Sequence, residues 1–404
     1  MEGRDRKADG PRSGLTRVER APLGIAARTA ILLSPVLSAY AVAGLTPILP
    51  KVGAHFAATP GVGWLTRLMV TSIGIAMLFA PFTGIVARRL GWRRALILGL
   101  IGYAAFGVAG GIIDNLWLIV ATRFGLGLST AIIATLLVSL IATEMDGDQR
   151  NRWLGYVLLT GTLGALVLVP LAGFLGKVDW RLPFMVHALA LGVVVLVAAG
   201  IPHSVGAPPQ HAPKSAGGGG FPISIVILGI VTGALVSTQS LYTPFHLADI
   251  GIHDPGVVGL AMLPAALGGA LVSLVYARWR RGVSLWLTFV VAFVVMAGGL
   301  AITGLSTNLP VLLAGQAVAG LGLGLGSPNL YAFAAMVGRD IDKTRNMGLA
   351  RGAYFAAPFL AQFALEPIAG LASAGIALVA LGIFGVVAAL LVRMMIPRSI
   401  AVAV

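Results

Sequence analysis

The 404 residues contain no cysteine, which excludes disulfides, thiolate nucleophiles and cysteine-ligated metals together. Charge is scarce as well: Asp, Glu, Lys and Arg make up 10% of the chain, where a soluble domain carries about 25%. No phosphate-binding loop of the GxxxxGKS or GxxxxGKT type occurs, so ATP is not an evident energy source. The apolar and polar alternation of a transmembrane barrel is missing too, because the apolar runs are unbroken. What remains is 58% hydrophobic residues, an integral membrane protein built from helices. Fifty-four glycines and 22 prolines suit helices that pack closely and bend in lipid.

Crossing about 30 Å of hydrocarbon at about 1.5 Å per residue takes roughly 20 apolar residues. Stretches of that length lie near 29–49, 64–87, 95–113, 116–142, 153–175 and 183–201, then near 222–245, 256–277, 284–304, 309–336, 347–368 and 373–396. These twelve spans predict an all-α membrane fold of two six-helix bundles, 28–201 and 221–397. Residues 1–27 read as a polar, basic tail with no cleavable leader, 202–220 as a Pro/Gly/Ser-rich linker, and 398–404 as a short C-terminal tail. A net charge of +14 is explained by loop placement, with no need for nucleic acid as a partner. Alternating the spans puts all but six of the 28 Lys and Arg on one side, the exceptions being Lys51, Lys177 and Arg181 in loops and Arg67, Arg123 and Arg351 in spans. That bias predicts a cell-membrane protein with both termini in the cytoplasm.

The halves echo one another in parallel order. LTPILP (Leu45 to Pro50) matches YTPFHL (Tyr242 to Leu247), LWLIVATR ending at Arg123 matches LPVLLAGQ ending at Gln316, and VPLAG (Val169 to Gly173) matches EPIAG (Glu366 to Gly370). A repeat of this kind relates the halves by an axis along the membrane normal and places a site between them.

GIVARRLGWRR, Gly84 to Arg94, is a short basic turn between spans two and three. It resembles the signature loop of the major facilitator superfamily, with Gly84, Arg89, Gly91 and Arg93 at the family's positions. Arg88 stands where that family has an aspartate that latches the halves in the outward-facing state. RFGLGLS, Arg123 to Ser129, is similar to the family's helix 4 motif, and Pro170 with Gly173 to the helix 5 hinge of its efflux branches, with Val169 in place of a glycine. The resemblance implies a twelve-helix secondary transporter. It also implies conformational roles for Gly84, Arg88, Arg89, Gly91, Arg93, Pro170 and Gly173.

Arg123 is the sharpest candidate, because a mid-span arginine needs water, a ligand or backbone carbonyls around it. Glu366 ends the face Arg351, Phe355, Pro358, Gln362, Glu366 and can take up a proton; the alternative is an acid at headgroup level that ends the helix. His187 is a second titratable group, or a hydrogen-bonded packing residue. Helices 1, 4, 7 and 10 line the cavity in the family, which points to Ser34 and Ser38, to Ser237, Gln239, Tyr242 and Thr243, and to Gln316, Gly320, Gly324, Ser327 and Tyr331. From these, Ser38, Arg123, Gln239, Tyr242, Gln316, Ser327, Tyr331 and Gln362 form the expected substrate set. His246, Asp249, His253 and Asp254 have a spacing a divalent metal accepts, without a fixed backbone to hold it; no metal or cofactor is assigned. No Ser, His and Asp constellation converges, so an enzyme is not expected. The sequence reads as a monomeric exporter of small organic molecules, drugs or secondary metabolites, in exchange for protons. A uniporter or importer of an organic anion is the alternative.

Overall fold

A computed structural model describes residues 24–145, 147–201, 222–338 and 343–396. Among these residues there is no strand, and eleven helices are long and apolar enough to cross a membrane. They are α1 (Ile25–His55), α2 (Val62–Ala80), α3 (Trp92–Ile112), α4 (Leu116–Ile141), α5 (Gly147–Val178) and α6 (Leu182–Gly200), then α7 (Ile223–Asp249), α8 (Pro255–Trp279), α9 (Leu285–Leu305), α10 (Leu309–Met336) and α12 (Ala374–Met395). Between the last two lies α11 (Lys343–Leu371), 29 residues long and less apolar because it carries Arg351, Gln362 and Glu366. The tails and the expected linker at 202–220 lie outside the described residues, apart from positions 24–27, which the helix beginning at Ile25 reaches.

Apolar length alone does not foresee where spans bend. In α1 the helix stops at Ala43, passes through a 3-10 turn at Thr46–Ile48 and resumes at Leu49, since Pro47 and Pro50 remove backbone donors. In α2 the regular helix ends at Ala76, and a 3-10 stretch at Met77–Phe82 leads into Thr83–Leu90, the start of the basic turn. Gly91, at φ 81°, closes that turn in a conformation L side chains rarely adopt.

The repeat shows in the caps. Asn115 accepts from the amide of Leu118 at the start of α4, and Asn308 accepts from Val311 at the equivalent start of α10. Apolar packing falls largely into separate clusters. Ala30, Ile31, Trp92, Tyr103, Leu136 and Val197 belong to one core, whereas Leu235, Phe289, Phe293, Phe333 and Leu378 belong to another. Small residues draw helices close in the second core: Gly315 packs on Thr303 of α9, and Gly324 meets the backbone of Gly269 on α8. Gly320 meets the backbone of Ala265 on α8 in the same way, so these two glycines serve close packing.

Candidate functional site

The loops of the chain fall on two faces, a basic face carrying Arg88, Arg89, Arg93 and Arg94, and an opposite face carrying the turns before Val62, Leu116 and Pro255. The hydrogen bonds and ion pairs described between residues 25–200 and 223–395 all lie toward the opposite face. Apart from Thr46 Oγ1, which donates to Met262 Sδ at 3.4 Å between α1 and α8, they form two seams.

The first seam joins α2 to α11. Arg67 Nη1 donates to Glu366 Oε2, and one turn further in Thr71 Oγ1 donates to Gln362 Oε1 at 3.0 Å. Gln362 Nε2 also donates to the carbonyl of Trp64 at 2.8 Å, and beyond these pairs the bare Gly74 meets the backbone carbonyl of Phe355. Each step inward along α2 is matched by a step back along α11, as two antiparallel helices in register require. Arg67 is 6% exposed and Glu366 21%, the carboxylate opening onto a cleft of about 430 Å³ lined by Gly61, Gly63, Trp64, Phe363, Pro367 and Gly370. Arg67 also stands over two rings of α7, 4.6 Å from the Tyr242 centroid and 4.2 Å from that of Phe245.

The second seam joins α5 to α8. Lys177 pairs with Asp254 at 2.8 Å, Gly173 lies against the Pro255 carbonyl, and a side chain on Gly259 would stand 3.0 Å from Pro170 Cα. The Lys177 ammonium, then the Gly256 amide at 2.8 Å, hold the Asp254 carboxyl below its usual range. Pro170 and Gly173, expected as a hinge pair, are thus at a contact between the halves.

Arg123 and His187 differ from their expected place in a cavity between the halves. Arg123 is fully buried; its Nη2 donates to the carbonyls of Phe106 at 2.8 Å and Gly107 at 2.7 Å, and its guanidinium sits 4.9 Å from the Phe184 centroid. His187, also fully buried, turns Nδ1 to the Phe184 carbonyl at 2.9 Å, so that nitrogen carries the hydrogen. The rings of Tyr40 and Tyr103 stand 5.0 and 5.3 Å from it. All these partners belong to the first half; the carbonyls that α3 offers satisfy Nη2, while Nε and Nη1 have no hydrogen-bond partner among the described residues.

The remaining candidates divide. Gln239 Nε2 donates to Gln316 Oε1 at 2.6 Å, and Gln316 Nε2 to Thr243 Oγ1 at 2.9 Å, a chain closed within the second half. Ser38 donates to the Ser34 carbonyl on its own helix. Ser237 and Ser327 adjoin the Tyr354 hydroxyl, and Tyr331 faces both Tyr354 and Arg351, which is exposed and has no acidic partner among the described residues. In the signature loop Arg88 and Arg89 are exposed, while Arg93 donates to the Ala198 carbonyl at the end of α6. The four candidate metal ligands do not converge: His246 turns to the Ser306 carbonyl, Asp249 accepts from the Ala374 amide, and Asp254 pairs with Lys177. Among the described residues no group of three His, Asp or Glu is placed to hold a metal.

Arg67 is the residue that sequence reasoning missed. An arginine five residues from its helix end signals a buried partner, and Glu366, five residues from the end of α11, is the acid at matching depth.

The profile of the Major Facilitator Superfamily matches residues 31–298. The chain is 32% identical over 161 residues to the multidrug efflux protein YfmO of Bacillus subtilis, covering 38% of each. It is 26% identical over 167 residues to the class B tetracycline resistance protein of Escherichia coli, covering 41% of each. Against the quinolone resistance protein NorA of Staphylococcus aureus it is 24% identical over 226 residues, 52% of this chain and 56% of that one. The matched stretches thus span 38% to 56% of these relatives' lengths. In fold, the chain superposes on a D-xylose–proton symporter with a TM-score of 0.77 at 15% identity, covering 93% of this chain and 98% of that one. A bacterial homologue of the lysosomal transporter Spinster, in an inward-facing conformation, gives a TM-score of 0.70 at 13% identity, covering 91% and 96%.

Proposed function

Because the chain belongs to the major facilitator superfamily and is a multi-pass membrane transporter rather than an enzyme, we propose that it exports small organic molecules across the cell membrane in exchange for protons. The observation that carries this reading is the Arg67–Glu366 pair, a carboxylate at the junction of two halves and open to a cleft on the face away from the basic loops. With that face outside, as the arginine distribution favours, Glu366 meets external protons through the cleft. A proton on Glu366 cancels the ion pair and loosens α2 from α11; the proton leaves on the cytoplasmic side once the halves have rocked. The bundles 28–201 and 221–397 are the rocking bodies, and Gly173 and Pro170 are where α5 slides on α8.

Substrate is held between the halves by side chains such as Ser237, Ser327, Tyr331 and Gln362, with Gln239, Gln316 and Tyr242 shaping the wall on α7 and α10. One relative named for multidrug efflux and two named for tetracycline and quinolone resistance support export of drug-like compounds. A second reading, a uniporter or importer of an organic anion, is favoured by exposed Arg351 beside Tyr331.

The test is proton movement in proteoliposomes loaded with a pH-sensitive dye and challenged with organic cations, anions and neutral compounds. Substrate-evoked proton flux that Glu366→Gln removes while substrate still binds is the expected result. Flux of full size in Glu366→Gln would place the proton carrier elsewhere, and anion movement indifferent to pH would favour the second reading.

A further inference from the structure

Arg67 has two holds on the second half. One is the carboxylate of Glu366 on α11; the other is the ring pair of Tyr242 and Phe245 on α7, at 4.6 and 4.2 Å from the guanidinium carbon. The two respond differently to protons. An ion pair disappears when the carboxylate is protonated, whereas a guanidinium keeps its charge and its attraction to a ring face. Burial strengthens the ring contact, and Arg67 is 6% exposed. The charged and titratable groups facing Glu366 are Arg67 from α2 and Tyr242 from α7, and the cleft wall adds only glycines, Trp64, Phe363 and Pro367.

We propose that Tyr242 and Phe245 form a proton-insensitive clamp that retains Arg67 when Glu366 is protonated, so that proton entry alone does not open this face. Release of α11 and release of α7 are then separate events. The second requires α7 itself to move, and α7 also carries Ser237 and Gln239, which face the polar positions of α10 and α11. A carrier built this way admits a proton without leaking it, because opening waits for a change on α7. This inference rests on the reading of Glu366 as the proton carrier.

The absence of cysteine makes the test direct, since Val70→Cys is then a single reporter. Val70 lies one turn inward of Arg67 and packs, partly buried, against the second-half core. The full chain in vesicles of known orientation is treated with a membrane-impermeant maleimide from the face of the Thr59 turn, with no substrate and no pH gradient. Labelling in Glu366→Gln and in Phe245→Leu should each stay within about threefold of the parent, and in the double variant rise about tenfold or more, the scale of a desolvated cation–ring contact. In the Glu366→Gln background, Phe245→Trp should slow labelling further, an arm that adds packing and stands even where the leucine variant fails to fold. Full-rate labelling in Glu366→Gln alone, a double variant no faster than its faster single, or no slowing by tryptophan would overturn the clamp. Failure of the proton reading shows instead in the flux assay, which labelling does not touch.

Discussion

Replacing Gly173 by alanine adds one methyl group at the tightest point of the α5–α8 seam. That methyl would press on the Pro255 carbonyl oxygen and stand 3.1 Å from its carbon and 3.3 Å from Gly256 Cα, against backbone that cannot swing aside as a side chain does. Overpacking of this kind costs about 1–3 kcal/mol. The strain exists only while the opposite face is closed, because α8 is not part of the bundle that α5 belongs to. It therefore shifts the equilibrium between closed and open by roughly 5- to 150-fold, at about 1.4 kcal/mol per tenfold. Spin labels at Thr59 and His253, read by pulsed distance measurement, should show a longer component in Gly173→Ala at the expense of the short one, with the melting temperature almost unchanged. A lowered melting temperature with unaltered distances would refute the reasoning, because it would make the contact part of the fold and not of the switch.

Arg123→Ala should abolish transport and also lower the melting temperature, because it empties a fully buried volume and strands the carbonyls of Phe106 and Gly107, a loss of about 3–5 kcal/mol; a normal melting curve with lost transport would return Arg123 to the substrate path. Asp254 gives the seam a pH dependence of known sign. Its carboxyl is held below the ordinary value by Lys177, so the contribution is fully present above the ordinary carboxylate range and lost as pH falls through the depressed value. Acidification through the depressed value should therefore lengthen the label distance in the parent and leave Asp254→Asn unaffected, with high salt acting like acid on this partly exposed pair. Equal response in both would assign the acid sensitivity elsewhere.

The twelve spans and the repeat were legible because lipid imposes length and apolarity on every crossing segment, and because the second half keeps the proline, glycine and cap positions of the first. The breaks were less so. Pro47 and Pro50 mark the interruption of α1 plainly, but the 3-10 stretch at Met77–Phe82 lies in a run whose hydropathy is that of any helix. At the site, Gln362 and Glu366 were legible as polar positions on one face of α11, while their partners Thr71 and Arg67 lie 291 and 299 residues away. Nothing local encodes such a pairing. Depth does: an arginine near one helix end and an acid near another, on the same face of the membrane, are the pair that a low-dielectric surrounding selects. The sequence placed Arg123 near substrate because a span arginine signals function by its expense, and that signal does not distinguish a ligand from a set of carbonyls.

The two buried arginines of the first half show why the distinction matters. Arg123 is held by backbone carbonyls and by a Phe184 ring that belong to its own bundle, partners whose geometry a rigid-body movement of that bundle leaves intact. Its electrostatic balance is the same whichever face is open. Arg67 is held by a carboxylate and two rings of the other bundle, so every opening of that face must break these contacts and expose or re-pair a cation. The energy needed is too large to supply at random and too local to come from distant loops. On the proposed reading it is lowered by the species that the transporter binds, a proton at Glu366 first, and then whatever moves α7. A buried cation inside one bundle stabilises a body, and a buried cation between two bundles sets the condition on which they part.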